Sequence, residues 1–404
     1  MKQYDYAILG GGGAGLSLLC HLHREGALQS KRLVIIEPQQ KTKHDRTWSF
    51  WEEGVGPFES IVQHQWKSLG VHNDHHQATY PLTQFSYKLI RSSDLYAYVD
   101  DLLRELPNVD RISAYATNIT PSESGVTFTA GDEEYSATWA FSSLPHELRH
   151  NEIEEPYLDQ HFRGWFIRTE QPTFDPDHAT LMDFRTPQYD ETRFFYVLPT
   201  SPTEAMVEIA IFSNTHLRRE AYDQAITNYL SEHWNLLAAP GSKKDCCSDT
   251  PLWGEPKAGG ACYFEVYHTE QGVIPMTTYP YPRQHGRLLH IGLGGGYARP
   301  STGYTFYNMQ KKLRTLAQDL ANESAQVRGH RPWPKRHILY DATLLDILDK
   351  GRLMGADVFP DLFRRNPTAR VLRFLNGETS LMEELQLMST THIPTFARAF
   401  VAQL

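Results

Sequence analysis

Residues 4–19 read YDYAILGGGGAGLSLL, and together with the acidic residue Glu37 they decide the fold. The stretch begins with a short apolar run, passes through a glycine turn and continues with leucines at helical spacing. A second apolar run over residues 33–36 ends at Glu37. Gly10, Gly12 and Gly15 match the pattern G-x-G-x-x-G, and the order strand, turn, helix, strand and acid is typical of a dinucleotide-binding unit.

The glycines of this turn have separate physical functions. Gly10 can adopt a positive φ without a Cβ clash. Gly12 allows the backbone to approach a pyrophosphate, and Gly15 allows the helix to pack closely on the sheet. Gly13 and Ala14 complete the loop at the helix N-terminus, where unpaired N–H groups and a partial positive charge attract phosphate.

Glu37 is predicted to accept hydrogen bonds from the hydroxyl groups of a ribose. The alternative is a glycine-rich turn without a ligand, but strand, helix and distal acid agree on nucleotide binding. Position alone does not separate FAD from NAD. Placement at the extreme N-terminus is typical of large two-domain flavoproteins, and it favours FAD.

Composition excludes several classes of function. The 404 residues carry a formal net charge of −9, which argues against a nucleic-acid partner. The four cysteines form no C-x-x-C pair, and the adjacent Cys246 and Cys247 suit a reduced, cytoplasmic setting. The sequence lacks a secretory signal and an apolar run long enough to span a membrane. Residues 71–77, VHNDHHQ, are interpreted as a solvated loop and not as a metal site.

Two arginines are candidates for contact with the cofactor. Arg46 belongs to the segment DRTWSFW at 45–51, interpreted either as a loop over a flavin or as an aromatic anchor for the core. Arg91 precedes a helical pattern that Ser93 or Asp94 could cap. By analogy with aromatic hydroxylases Arg91 would contact the cofactor; the alternative is a surface ion pair.

A second strand, glycine loop and helix occur at residues 287–320. In two-domain flavoproteins such a unit returns to the nucleotide domain and brings backbone N–H groups near the flavin ring and the ribityl phosphate. The candidate cofactor residues of this loop are Gly292, Gly294, Gly295, Gly296, Ser301 and Thr302.

The pattern predicts an α/β fold: a Rossmann-type FAD-binding domain of the hydroxylase and geranylgeranyl-reductase kind, an antiparallel-sheet substrate domain and C-terminal helices. We assign residues 1–70, 91–155 and 271–325 to the FAD-binding domain. Residues 71–90 and 156–270 would form the substrate domain, and residues 326–404 a helical region.

The chain resembles the lycopene β-cyclase family of carotenoid biosynthesis, in its bacterial flavin-dependent branch. The resemblance covers most of the chain and rests mainly on DRTW at 45–48, MDFR at 182–185, and GLGGGYARPSTGY at 292–304. The chain departs from the family where Ile209 and Ala210 follow Glu208, and where FSSL occupies 141–144.

The resemblance implies a redox-neutral cyclisation of lycopene through γ-carotene. A proton adds at C2 of a linear ψ end group, the C5–C6 double bond attacks the C1 cation, and loss of a C6 proton leaves a β-ring. It also implies reduced FAD as the active form, with NAD(P)H serving only as the reductant. Rival interpretations are an FAD-dependent monooxygenase or reductase acting on an isoprenoid, and a non-catalytic prenyl-binding protein.

Glu208 is the candidate acid. Alternation along residues 205–212 places Met206, Glu208, Ala210 and Phe212 on one face of a strand. A carboxyl group in an apolar strand must be paired or neutral. It is therefore either the proton donor or the partner of Arg185 or Arg193; Asp183 and Arg185 are secondary catalytic candidates.

The apolar substrate also predicts peripheral association with membrane lipid, and no protein partner is expected. We assign the contact to apolar side chains of the last sixty or so residues, because exposed apolar patches mark such sites. The candidates are Leu353, Phe359, Leu362 and Phe363.

Overall fold

The structure is a computed structural model that describes residues 1–146, 153–239, 262–323 and 333–404. Cys246, Cys247 and the predicted domain boundary at 325/326 lie outside these ranges. The strands of the described residues are β1 Lys2–Leu9, β2 Leu33–Ile36, β3 Thr47–Glu53, β4 His64–Trp66, β5 Ser68–His72, β6 Gln77–Pro81, β7 Phe85–Arg91, β8 Val109–Ile112, β9 Ala116–Pro121, β10 Val126–Ala130, β11 Glu133–Ser142, β12 Tyr157–Thr169, β13 His178–Asp183, β14 Thr192–Pro199, β15 Glu204–Phe212, β16 Leu236–Ala238, β17 Cys262–Thr277, β18 Gln284–His285 and β19 Leu288–His290.

The helices of the described residues form three groups: two within the first hundred or so residues, two in the middle of the chain, and five toward the C-terminus. In the described ranges they are α1 Gly13–Arg24, α2 Ser92–Arg104, α3 Arg219–Trp234, α4 Phe306–Ala321, α5 Lys335–Asp349, α6 Gly355–Arg365, α7 Thr368–Asn376, α8 Leu381–Met388 and α9 Ile393–Val401.

The first sheet is built around β1. Strands β19, β11, β1, β2 and β8 lie in this order and pair in parallel, while β9 and β10 form an antiparallel extension on β11. Both faces of β1 are buried: Tyr6 and Ile8 pack in the cluster that contains α1 and α4, and Ala7 and Leu9 pack on the opposite side. Buried parallel strands of this kind require apolar residues at successive positions.

The glycine turn between β1 and α1 has the close contacts that its sequence predicts. Gly10 has a φ of 102°, a conformation that favours glycine. A Cβ at Gly15 would lie 2.1 Å from the carbonyl oxygen of Gly10, so only glycine allows α1 to approach the turn this closely.

The second sheet has the order β16-β17-β12-β15-β14-β13-β5-β6 and is mostly antiparallel. Helix α3 covers one face, where it packs on Val207 and Ile209. Helices α5, α6 and α7 contribute to the cluster on the other face, with Met206 and Phe212. The two faces of β15 are those that the alternation predicts.

A third sheet contributes side chains to the hydrophobic clusters of both other sheets. It has the order β3-β7-β4, and β7, which spans Phe85–Arg91, crosses the predicted boundary between residues 90 and 91. The DRTWSFW segment, interpreted as a loop, is largely strand β3, because its apolar side chains pack inward and β7 pairs along its length. Trp51 donates a hydrogen bond to the carbonyl oxygen of Leu372 in α7 (3.1 Å). This residue therefore anchors the segment to the core, as the second interpretation proposed.

Helix α2 begins without a side-chain cap. Its N-cap position is Arg91, and neither Ser93 nor Asp94 caps it as predicted. The Ser92 hydroxyl instead accepts hydrogen bonds from the backbone N–H groups of Asp45 and Arg46 (2.9 and 3.1 Å), and thereby holds the start of β3.

Candidate active site

A cavity of about 480 Å³ lies between the two glycine loops and the second sheet. The start of β3 forms one wall, and strands β12, β14, β15 and β17 contribute another. Its lining residues are Gly12, Gly13, Ala14, Lys41, Asp45, Arg46, Thr47, Trp48, Ser49, Tyr87, Tyr96, Ser143, Pro145, Gln160, Phe162, Tyr196, Leu198, Met206, Glu208, Glu270, Gly272, Val273, Ile274, Gly292, Leu293, Gly294, Thr302, Gly303, Tyr304, Thr305, Phe306 and Met309.

One end of the cavity has the properties of a phosphate cradle. Gly12 is the N-cap of α1, and no side chain caps this end of the helix. The first N–H groups of α1 can therefore donate hydrogen bonds to a ligand. A Cβ added at Gly12 would meet no atom within 4 Å, so the space in front of this backbone is open. Residues Gly12, Gly13 and Ala14 therefore fit a pyrophosphate.

The second glycine loop meets the first at this end. Gly292 has a φ of 64°, and a Cβ there would lie 2.7 Å from the Cβ of Ala14. Gly294 and Thr302 also line the cavity, and the buried Oγ1 of Thr302 has no hydrogen-bond partner among the described residues. These positions fit the predicted contact with a flavin nucleotide.

Several predicted cofactor residues lie outside the lining. The Glu37 carboxylate accepts hydrogen bonds from the N–H groups of Gly11 (2.8 Å) and Gln39 (3.2 Å), so it holds the glycine loop. Ser301 donates to Asp341 (2.7 Å). The others that do not line the cavity are Gly10, Gly15, Arg91, Gly295 and Gly296.

Arg46 does line the cavity. Its side chain is exposed, and Nη1 donates to the carbonyl oxygen of Asp45 (2.6 Å), which leaves most of the guanidinium available to an anionic ligand.

Four residues form a row across the floor of the cavity. Gly164 in β12 pairs with Glu208 in β15 and with Glu270 in β17, and Glu208 also pairs with Tyr196 in β14. Residues paired across antiparallel strands point to the same face, so the row places both carboxyl groups and the Tyr196 ring on the cavity side.

Gly164 makes the space that the two carboxyl groups occupy. A Cβ at this position would lie 3.0 Å from Oε2 of Glu208 and 3.3 Å from Cγ of Glu270. Glycine in a strand interior often marks a close approach of this kind. Here it lets two acidic side chains from the flanking strands meet above the strand between them.

The two carboxyl side chains lie side by side above Gly164, and their surroundings are unequal. Burial and the neighbouring Glu270 raise the pKa of Glu208 well above its usual range. Burial also raises the pKa of Glu270, but the hydrogen bond donated by the Thr47 hydroxyl (2.9 Å) and the charge of Arg46 oppose this effect. These surroundings favour the protonated form at Glu208 and the carboxylate form at Glu270.

Aromatic rings surround Glu208. Tyr196 and Tyr304 lie with their hydroxyl oxygens 3.4 Å apart, and burial raises the pKa of Tyr87 and Tyr196 well above the usual range. The phenols are therefore neutral. Their ring faces carry partial negative charge and can stabilise a cation in the cavity.

Among the described residues, Glu208 forms no ion pair with Arg185 or Arg193, the two alternative partners that the sequence suggested. Among the described residues Arg185 pairs with Asp183 (2.6 Å), and Arg193 pairs with Glu191. The Oε2 atom of Glu208 has no hydrogen-bond partner there. Of the two predicted roles of Glu208, the geometry fits that of a neutral acid.

Asp183 and Arg185 do not reach the cavity. Asp183 accepts a hydrogen bond from Tyr229 of α3 (2.7 Å) and thus lies on the face of the sheet opposite to Glu208. Its ion pair with Arg185 and this hydrogen bond hold the pKa of Asp183 below its usual range in spite of burial. They act as a structural pair between β13 and α3, and we do not retain them as catalytic candidates.

Glu270 and Gly164 were missed by the sequence reasoning. The sequence reasoning ended a strand at Glu270, so this residue was interpreted as the polar end of that strand. In the structure β17 continues to Thr277, and Glu270 lies inside the strand. The signal that could have found the site is the isolated Gly164 in the run Phe162–Phe166, because a glycine inside a strand indicates a close approach.

The described residues contain no group of His, Cys, Asp and Glu side chains suited to a metal ion. Within the same ranges, every helix is too short or too polar to cross a membrane.

Solved structures share this fold at low sequence identity. A geranylgeranyl bacteriochlorophyll reductase-like protein from Thermoplasma acidophilum matches with a TM-score of 0.64 and 14% identity over 100% of both chains. A flavoprotein/dehydrogenase from Cytophaga hutchinsonii has a TM-score of 0.59 and 12% identity over 99% of both. The p-nitrophenol 4-monooxygenase of Pseudomonas putida has a TM-score of 0.53 and 10% identity, over 100% of this chain and 98% of that chain. The predicted fold class is thereby confirmed.

Sequence comparison identifies the family. The chloroplastic neoxanthin synthase of Solanum tuberosum is 20% identical over 347 residues, which cover 82% of this chain and 64% of that protein. The chain thus spans less than two thirds of the length of this relative. Residues 5–238 and 256–401 match the family described as lycopene cyclase protein. With nearly the whole chain matched, the protein belongs to the lycopene cyclase family.

Proposed function

We propose that the protein is a lycopene β-cyclase: it converts the ψ end groups of lycopene to β-rings, through γ-carotene to β-carotene, by acid catalysis without net oxidation. The observation that carries this proposal is Glu208, a carboxyl group buried among phenol rings in a cavity that begins at two glycine loops. Membership of the family supports a carotenoid substrate.

Glu208 would donate its proton to C2 of the ψ end group. The reaction needs an acid that is protonated near neutral pH, and burial supplies one by raising the carboxyl pKa. The rings of Tyr196 and Tyr304 would lie near the cation formed at C1, where the negative faces of the rings would stabilise it.

The cofactor we propose is FAD in its reduced form, with NAD(P)H as the reductant. Gly12, Gly13 and Ala14 would hold the pyrophosphate, and Gly292, Gly294, Thr302 and Arg46 would complete the site. Reduced flavin would supply negative charge that stabilises the cation electrostatically.

The long apolar substrate leads us to propose peripheral attachment to a membrane, from the cytoplasmic side. Three of the four side chains first assigned to this contact do not fit: Phe359, Leu362 and Phe363 are buried, because they pack on the second sheet and against neighbouring helices. The fourth, Leu353, is partly buried against the same helices. Large apolar side chains are exposed instead on α8 and α9 and at the C-terminus. They are Leu381, Met382, Leu385, Ile393, Val401 and Leu404.

A second cavity supports lipid as the occupant of this face. It has a volume of about 280 Å³ and is lined mostly by apolar side chains of α5, α6, α8 and α9. The exposed Ile393 and Ala397 form part of its wall, and at another point it reaches Ser301, next to the loop that lines the main cavity. An apolar substrate leaving a bilayer would meet apolar surface in this cavity.

The test is ring formation by purified protein loaded with FAD, reduced chemically without oxygen and supplied with lycopene in liposomes. Chromatography of the pigments measures the rings formed. We expect each enzyme molecule to form many rings without consumption of NAD(P)H. Stoichiometric use of NAD(P)H and oxygen would favour the monooxygenase, and recovery of bound, unchanged isoprenoid would favour the prenyl-binding protein.

A further inference from the structure

We propose that Glu270 is the second catalytic group of this site and accepts the proton that leaves C6, while Glu208 supplies the proton to C2. This inference rests on the proposed cyclisation. It goes further in making the two carboxyl groups one unit that regenerates its own acid.

The geometry assigns opposite tasks to the two side chains. Both face the cavity from strands that flank Gly164, and both are within reach of one bound end group. The Thr47 hydroxyl donates a hydrogen bond to Oε2 of Glu270 (2.9 Å), and this hydrogen bond stabilises a carboxylate there. The buried Oε2 of Glu208 has no hydrogen-bond partner among the described residues, which favours the protonated form of this carboxyl group.

The chemistry of the ring requires two adjacent proton-transfer sites. C2 gains a proton and C6 loses one, and both atoms are bonded to C1 in the new ring. An acid and a base placed side by side therefore serve both steps without movement of the substrate.

The protons and electrons balance within the pair. The O–H bond of Glu208 breaks as the C2–H bond forms, and the C5–C6 π electrons form the C1–C6 bond. The C6–H bond then breaks, its electron pair forms the C5–C6 double bond of the ring, and the proton passes to Glu270. Transfer of this proton from Glu270 to the neighbouring Glu208 restores the starting state, so nothing is oxidised and water is not consumed.

The origin of the proton at C2 tests this cycle. In D2O the first ring would receive deuterium, but later rings would receive the protium that came from C6. We expect wild-type enzyme, with lycopene in liposomes and chemically reduced FAD, to place fewer than one deuterium per ring at C2, as read by mass spectrometry.

Glu270→Gln keeps the size of the side chain and removes the base. We expect it to lower the rate by at least about tenfold and to raise the deuterium content to one per ring, because Glu208 must then recover its proton from solvent. Glu265→Gln is the matched control, since Glu265 lies on the same strand but pairs with Arg168 away from the cavity (3.0 Å). It should retain the wild-type rate and deuterium content.

Gly164→Ala is the second variant, because its Cβ would press on both carboxyl groups and part them without removing either. If Glu270→Gln fails to fold, Gly164→Ala tests the proposal in its place. We expect the product of Gly164→Ala to contain close to one deuterium per ring at C2. One deuterium per ring in the wild type would overturn the proposal, as would a wild-type rate or an unchanged deuterium content in both variants. A wild-type enzyme that makes no ring would instead overturn the cyclase function.

Discussion

At the scale of single residues, Glu208 could be predicted and Glu270 could not. Alternation along one strand is enough to place a carboxyl group on an apolar face. The meeting of two carboxyl groups depends on the pairing of three strands that are distant in sequence, and the sequence does not contain that register. Asp183 and Arg185 were misassigned for the same reason, since neither the face nor the Tyr229 partner of Asp183 follows from their local pattern.

Glu208→Gln tests the acid itself. We expect ring formation to fall by a factor of about a hundred or more, on the scale of general-acid loss, while flavin content and melting temperature stay close to those of the wild type. The amide keeps the shape of the side chain and removes the acidic proton. Glu204→Gln on the same strand is the control, because Glu204 pairs with Arg168 and does not line the cavity. A Glu208→Gln enzyme that cyclises at the wild-type rate would exclude this residue as the donor.

The carboxyl pair also predicts how stability depends on pH. A buried acid whose pKa is raised in the folded state stabilises the fold below its unfolded pKa, and this contribution is lost as the pH rises through the folded pKa. Burial raises the pKa of Glu270 to about 7. The free energy of unfolding should therefore fall between about pH 5 and about pH 8 by an amount on the order of a few kcal/mol.

Chemical denaturation at several pH values measures this effect. Glu270→Gln should show a shallower fall than the wild type, and Glu265→Gln should follow the wild type. Equal slopes for all three proteins would mean that the pair does not titrate in this range.

At the scale of elements, the glycine turn and its helix were predictable because their signal is local. Strand β3 was not, because the DRTWSFW segment follows a polar connector and becomes a strand only by pairing with β7. That pairing matters for the site, since it brings Thr47 to Glu270.

Gly12→Val tests the phosphate cradle. The added side chain would project into the open space before the N-terminus of α1 without disturbing the packing around it. We expect the variant to fold with a near-normal melting temperature and to lose most of its flavin absorbance. Thr138→Val, on the exposed side of β11, should retain flavin. Normal flavin content in Gly12→Val would contradict the assignment of this loop.

Helices α8 and α9 carry the prediction for membrane attachment. The double variant Leu381→Gln and Leu385→Gln removes two exposed apolar side chains one turn apart on α8, so liposome flotation should weaken while the fold remains. Val55→Gln, an equally apolar and more exposed position elsewhere, should float like the wild type. If both variants float like the wild type, the membrane contact lies on another surface.

At the scale of the whole molecule, composition and motif order were sufficient for the fold class, which the solved structures confirm. The division into residues 1–70, 91–155 and 271–325, residues 71–90 and 156–270, and residues 326–404 stays a prediction. The three-stranded sheet explains why such boundaries are hard to derive: side chains of β3 and β7 pack in the hydrophobic clusters of both larger sheets, and long-range pairing decides which sheet a strand belongs to.

Trp48 gives the molecule an optical consequence. Its indole lies against Gly13, where an added Cβ would be 2.7 Å from Cζ2, and it stacks on Phe306 with ring centroids 5.3 Å apart at the edge of the main cavity. A flavin in the cradle would lie within energy-transfer range of this indole and accept its excitation. The ultraviolet emission of the protein should therefore dim as the cradle fills, and the part of that change owed to Trp48 reports the occupancy of a single loop.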